Sequence, residues 1–171
     1  MTDRPEAWLR GPVPGISPWL QPAAHALIQA GEDAERAVEG LTTEELWYRP
    51  GDAASPGFHL RHIPGVISRL LTYAQGEQLS EAQLRALRAE GEPGDPPEEI
   101  DSLLERLGRG IERGLEFLRA TPDTILLEAR GVGRKQLPST VIGLIFHAAE
   151  HAQRHAGQLI TTSKIIRGMR E

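Results

Sequence analysis

Four stretches of this chain carry apolar residues at three- and four-residue steps, each bounded by proline, glycine or a hydroxyl residue, and that period admits helices and little else. The first runs over residues 22–41 with Ala23, Leu27, Ala30, Ala34 and Ala37, and the second over 55–75 with Leu60, Ile63, Ile67, Leu70, Leu71 and Ala74. The third covers 97–121 with Ile100, Leu103, Leu104, Leu107, Ile111, Leu115 and Leu118, and the fourth 139–159 with Val141, Ile142, Leu144, Ile145, Ala148, Ala149 and Ala152. Ala and Leu supply 40 of the 171 residues and Val only five, a balance that favours helices over a β-sandwich. Four amphipathic stripes close most economically as an all-α four-helix bundle. One compact domain is expected for this length.

Local signals add detail. Prolines 12, 14, 18 and 22 predict an extended segment over residues 1–21, laid on the bundle until Pro22 opens the first helix. Gly40 ends that helix, and Thr43 is positioned to cap a short turn from Glu44 to Tyr48. Ser55-Pro56 reads as a cap with proline at the first helical position. Pro64-Gly65 interrupts the second stripe without changing its phase, which favours one kinked helix over two short ones. Ser80 starts a short helix to about Glu90, and residues 125–137 form a loop or a short hairpin. Ser139 is positioned to cap the last main helix, which Ile160 to Met169 either extends or follows as a separate helix.

Charge and composition exclude several functions. The net charge of -5 argues against a phosphate-backbone binder, and the basic run Arg130, Arg134, Lys135 is too small to reverse that. No apolar run is long enough to span a bilayer, and the N-terminus lacks the apolar core of a secretory signal, so a cytoplasmic protein with no membrane and no nucleic-acid partner is expected. With no cysteine, any metal must sit on His, Asp or Glu.

Five of the six histidines fall in two of the predicted helices: His59 and His62 in the second, His147, His151 and His155 in the last. Random placement would give on the order of 0.2 pairs at i,i+4, and the chain has two. Such a pair projects from one helix face and can converge on one ion. His147 and His155 lie about 12 Å apart along the axis, too far for both to bind it. The pair is therefore His147/His151 or His151/His155, with a third ligand from a facing helix. His59 and His62 are the candidates, and the helical wheel places His59 nearer the centre of the apolar stripe. His25 reads as structural, Glu150 and Arg154 as an i,i+4 ion pair, and the acidic residues from Glu90 to Glu105 as a solvated face. Glu150 lies about 100° round the helix from His151, and no general base stands out.

Two segments carry a resemblance. Ser55 to Ile63, reading Ser-Pro-Gly-Phe-His-Leu-Arg-His-Ile, and His151 to Leu159, reading His-Ala-Gln-Arg-His-Ala-Gly-Gln-Leu, are similar to the signature segments of the DinB-like (DinB/YfiT) metalloenzyme superfamily, and Leu46 to Gly51 resembles its lead-in. The resemblance covers nearly the whole chain, as a single DinB-like domain over residues 1–171. It implies a four-helix bundle, commonly a homodimer, holding a divalent metal, often nickel or zinc, on three histidines. Carried over by motif, the metal ligands are His62, His151 and His155, which replaces the wheel-based preference for His59. His59, His147 and Gln158 become residues lining or supporting the pocket, with Gly157 allowing close helix approach. The implied chemistry is a small-molecule reaction, either a transfer dependent on a low-molecular-weight thiol such as bacillithiol or mycothiol, or a metal-dependent hydrolysis. The absent cysteine suits a thiol brought in as cosubstrate. The alternative is a non-catalytic helical stress-response or interaction protein with a structural metal, distinguished by four protein ligands and no solvent position.

Overall fold

A computed structural model describes residues 4–170; residues 1–3 of the N-terminal segment lie outside the described residues. Six α-helices and one small hairpin are found among them: α1 Gln21–Val38, α2 Thr43–Trp47, α3 Pro56–Ala74, α4 Glu81–Arg88, α5 Ile100–Ala120, β1 Ala129–Val132, β2 Leu137–Thr140 and α6 Val141–Gly168. The fold is all-α, as the stripes predict. The four long helices form a closed ring in which α6 packs on α3 and α1, and α5 packs on the same two from the other side. Leu27, Leu60, Ile63, Ile67, Leu103, Leu118, Ile145 and Leu159 fill the space between them. No helix is long and apolar enough to cross a membrane among the described residues.

The caps show where the sequence signal is one residue coarse. Ser55 and Ser80 cap α3 and α4 as expected, the latter in a capping box with Gln83. The short second helix, however, is capped by Thr42, whose side chain accepts from the Glu45 N–H while the Glu45 carboxylate accepts from the Thr42 N–H. Likewise α6 is capped by Thr140, not Ser139, because Thr140 is the last residue paired in the hairpin, opposite Ala129. From there α6 runs without a break to Gly168, so residues 160–168 extend it.

The N-terminal segment is less extended than its prolines suggest, with 3-10 turns at Ala7–Leu9 and Pro18–Leu20. Polar side chains from α1 hold it. Gln29 accepts from the Ala7 N–H, Gln21 bonds both backbone groups of Val13, and His25 donates to the Gly11 carbonyl, the structural role expected of it.

α3 continues through Pro64 as one helix. Its neighbour there is Gly110 of α5, where a side-chain carbon would lie 2.4 Å from Cβ and 3.0 Å from Cα of Pro64. Glycine thus lets the two backbones approach at the proline, two residues beyond His62 on the same helix.

Candidate metal centre

His62 comes from the second turn of α3, and His151 and His155 come from successive turns of α6. Because α3 and α6 share the most extensive contact in the molecule, the three imidazoles meet between them. One ring nitrogen from each lies within 4.8 Å of those of the other two. Nε2 of His62 and Nε2 of His151 are 3.0 Å apart. Two bare lone pairs cannot face each other at that distance, so a proton or a cation must lie between them. Bonds of about 2.0–2.1 Å meeting at roughly 90–109° would set two nitrogens about 2.9–3.4 Å apart, which this spacing fits.

The surroundings fix the rings. Phe58 stacks on His62 with centroids 5.1 Å apart and planes inclined by 18°. Nδ1 of His62 donates to Oε2 of Glu90 at 2.6 Å, and Oε1 of Glu90 accepts from the Arg69 guanidinium at 2.6 Å. With its Nδ1 proton committed to Glu90, His62 turns the Nε2 lone pair toward His151. Nδ1 of His151 is buried and has no hydrogen-bond partner. It is left bare if His151 Nε2 carries the proton between the rings, and protonated if that position holds a cation. The donor set, three imidazoles with one nitrogen braced by a carboxylate, suits a divalent transition metal.

His59 stands beside the set, not within it. It is 2% exposed and its Nδ1 pairs with Nδ1 of His155 at 3.0 Å, a bond that leaves Nε2 of His155 free. Of the two α3 histidines, His62 is the one whose ring reaches His151. His147 lies outward, with Nδ1 bonded to Glu150 at 2.6 Å. It forms with Glu150 and His151 a second, more exposed cluster of ligand type. Glu150 also pairs with Arg154, as expected. Burial alone would raise its pKa, but His147 and Arg154 outweigh that and lower it. Its carboxylate is occupied by those partners.

Three expectations need correction. The residues from Glu90 to Glu105 are not uniformly a solvated face: Glu90 is 4% exposed and bonded to His62 and Arg69. Gln158 is exposed, without a side-chain hydrogen bond among the described residues, because it projects from the solvent side of α6 while Ala156 and Leu159 take the core side. Gly157 meets no neighbouring atom within 4 Å, being about 200° round the helix from His155, so it mediates no close approach. A signal for Glu90 was present in Arg69, which follows Val66 by three residues on an apolar face of α3 and so needs a buried acid.

Burial, reinforced by neighbouring imidazoles, pushes the pKa of His59 down to about 4 and that of His155 down to about 3, and lowers that of His151. These rings are neutral at physiological pH, and for His151 and His155 that is the state a metal ligand requires. In the unfolded chain these groups titrate near 6.5, so between that pH and the folded values the unfolded state binds more protons. The contribution these neutral rings make to the stability of metal-free protein is therefore fully present above about pH 6.5 and is lost progressively as pH falls toward 4 and 3. Urea midpoints measured in chelator should fall from pH 7.5 to 5, and His59→Asn should flatten the slope; a midpoint constant over that range would contradict the buried neutral cluster.

Beside the centre lies a cleft of about 520 Å³ lined by Arg61, Arg69, Glu90 and Glu98 among others; none of the three histidines lines it. No curated protein matches the chain. A solved structure described as the crystal structure of the conserved protein of locus from Enterococcus faecalis matches with a TM-score of 0.69 at 18% identity, over 87% of this chain and 97% of that one. That likeness is one of fold. The family model of the DinB superfamily matches residues 26–159, which span both histidine segments and parts or all of the four long helices. By that match, the chain belongs to the DinB superfamily.

Proposed function

We propose that the protein is a divalent-metal-dependent enzyme, with His62, His151 and His155 as the ligands of nickel or zinc and a remaining coordination position for a small-molecule substrate. The observation that carries this reading is the convergence of the three ring nitrogens within 4.8 Å. His59, the nearest fourth imidazole, is engaged with His155, which favours three protein ligands over four. A divalent ion held there would acidify a bound water or thiol and make it a nucleophile near neutral pH. The residues around it position His62, through Glu90 and Phe58, and burial keeps the rings of His151 and His155 neutral. The class of reaction follows from which nucleophile enters: a low-molecular-weight thiol for a transferase, water for a hydrolase. Homodimeric assembly, implied by family resemblance, belongs to the same proposal.

X-ray absorption on metal-loaded protein is the test. Three imidazole nitrogens plus an exchangeable light ligand are expected, and a sulfur scatterer should replace that ligand on adding a thiol if the enzyme is thiol-dependent. Four protein ligands with no exchangeable position would overturn the enzymatic reading in favour of a structural metal.

A further inference from the structure

We infer that Glu90 is a positioning residue for the three-histidine centre, holding His62 in the Nδ1–H tautomer with Nε2 presented to His151, and that the buried Arg69 holds Glu90 in turn. This deepens the proposed metal-binding function and rests on it for its effect on affinity; the tautomer itself is a property of the metal-free chain.

Glu90 lies two residues beyond α4, in a linker whose composition suggests solvent exposure, yet its carboxylate is among the most buried polar groups of the molecule. Both oxygens are used, one by the ring of His62 and the other by Arg69, itself only 7% exposed. The backbone on either side of Glu90 is held as well. Arg61 donates to the carbonyl of Ala89 at 2.9 Å, to that of Pro93 at 3.3 Å and to that of Glu92, while its Nε bonds Glu98 at 3.0 Å. α3 therefore grips this segment at Arg61 and Arg69, and between them it carries His62.

Gly65 makes room for the arrangement. A side-chain carbon there would lie 2.4 Å from Oε1 of Glu90 and 2.8 Å from Nη1 of Arg69. The glycine beside Pro64 is thus the groove that admits the ion pair to the flank of His62. Burying a carboxylate and a guanidinium is costly unless both are fully bonded. Here the pair directs one carboxylate oxygen at one ring nitrogen, and that bond selects which nitrogen of His62 remains a ligand.

The experiment uses full-length protein with ring-15N histidine. Long-range 1H–15N spectra of the metal-free chain should show His62 protonated at Nδ1 and bare at Nε2. In Glu90→Gln that preference should be lost, and affinity for zinc or nickel should fall by about 10–100-fold. Gly65→Ala keeps every polar group while displacing Glu90, and should move both readouts in the same direction; a helical circular dichroism spectrum confirms folding of each variant. Wild-type His62 protonated at Nε2 would overturn the inference. So would a metal-binding protein whose two variants keep wild-type tautomer and affinity. A chain that binds no divalent ion but holds His62 as Nδ1–H would remove the metal reading and support the positioning role by itself.

Discussion

His155→Ala and His62→Ala are each expected to weaken zinc or nickel binding by more than about 100-fold, while His147→Ala leaves it within a few-fold of wild type. The magnitude follows from comparison: loss of a supporting group outside the ligand set costs about 10–100-fold, and loss of a ligand must cost more. The choice of residues matters because His151 belongs to two clusters, one with His62 and His155, the other with His147 and Glu150. His151→Ala abolishes either site and cannot tell them apart. The inner cluster has the burial, the neutral rings of His151 and His155 and the carboxylate-braced His62; the outer one is more exposed, and its His147 and Glu150 already bond each other. Isothermal titration of chelator-treated protein gives the answer directly. If His147→Ala lost binding and His155→Ala kept it, the ion would belong on the outer face of α6 and the assignment would be wrong.

The same residues show which parts of the site a sequence can announce. Two histidines four apart are visible because helical geometry alone brings them together. A partner from another helix is visible only as a candidate, and here the wheel preferred His59 while His62 reaches His151. The difference lies in how α3 and α6 pack, which an apolar period does not encode. Glu90 was hidden for a different reason. An acid after a short helix, in a run of Glu, Gly and Pro, has every local mark of solvent exposure, and its burial depends on an arginine some twenty residues earlier. The one-residue errors at Thr42 and Thr140 have a third cause: adjacent hydroxyl residues cap about equally well by type, and pairing in β2 or the reciprocal bond from Glu45 decides between them. The bundle itself was readable because four stripes of the same period leave few alternative closures.

Two glycine substitutions in α5, made two residues apart, should have opposite signs. Replacing glycine by alanine inside a helix gains roughly 0.5–1 kcal/mol from the backbone entropy of the unfolded chain. At Gly108 no atom lies within 4 Å of the added carbon, so Gly108→Ala should collect that gain and raise the midpoint of thermal unfolding by about 1–4 °C. At Gly110 the carbon would meet Cβ of Pro64 at 2.4 Å and its Cα at 3.0 Å. Neither atom can swing aside, because the proline ring is fixed to its own backbone, so the helices must separate. Overpacking of that kind costs roughly 1–3 kcal/mol, which exceeds the propensity gain. Gly110→Ala should therefore lower the midpoint by several degrees. Because Pro64 lies only two residues beyond His62 on α3, the displacement should also reach the centre and weaken metal binding, whereas Gly108→Ala should leave it unchanged. Equal stabilisation by both substitutions would mean that α3 and α5 do not approach at Pro64.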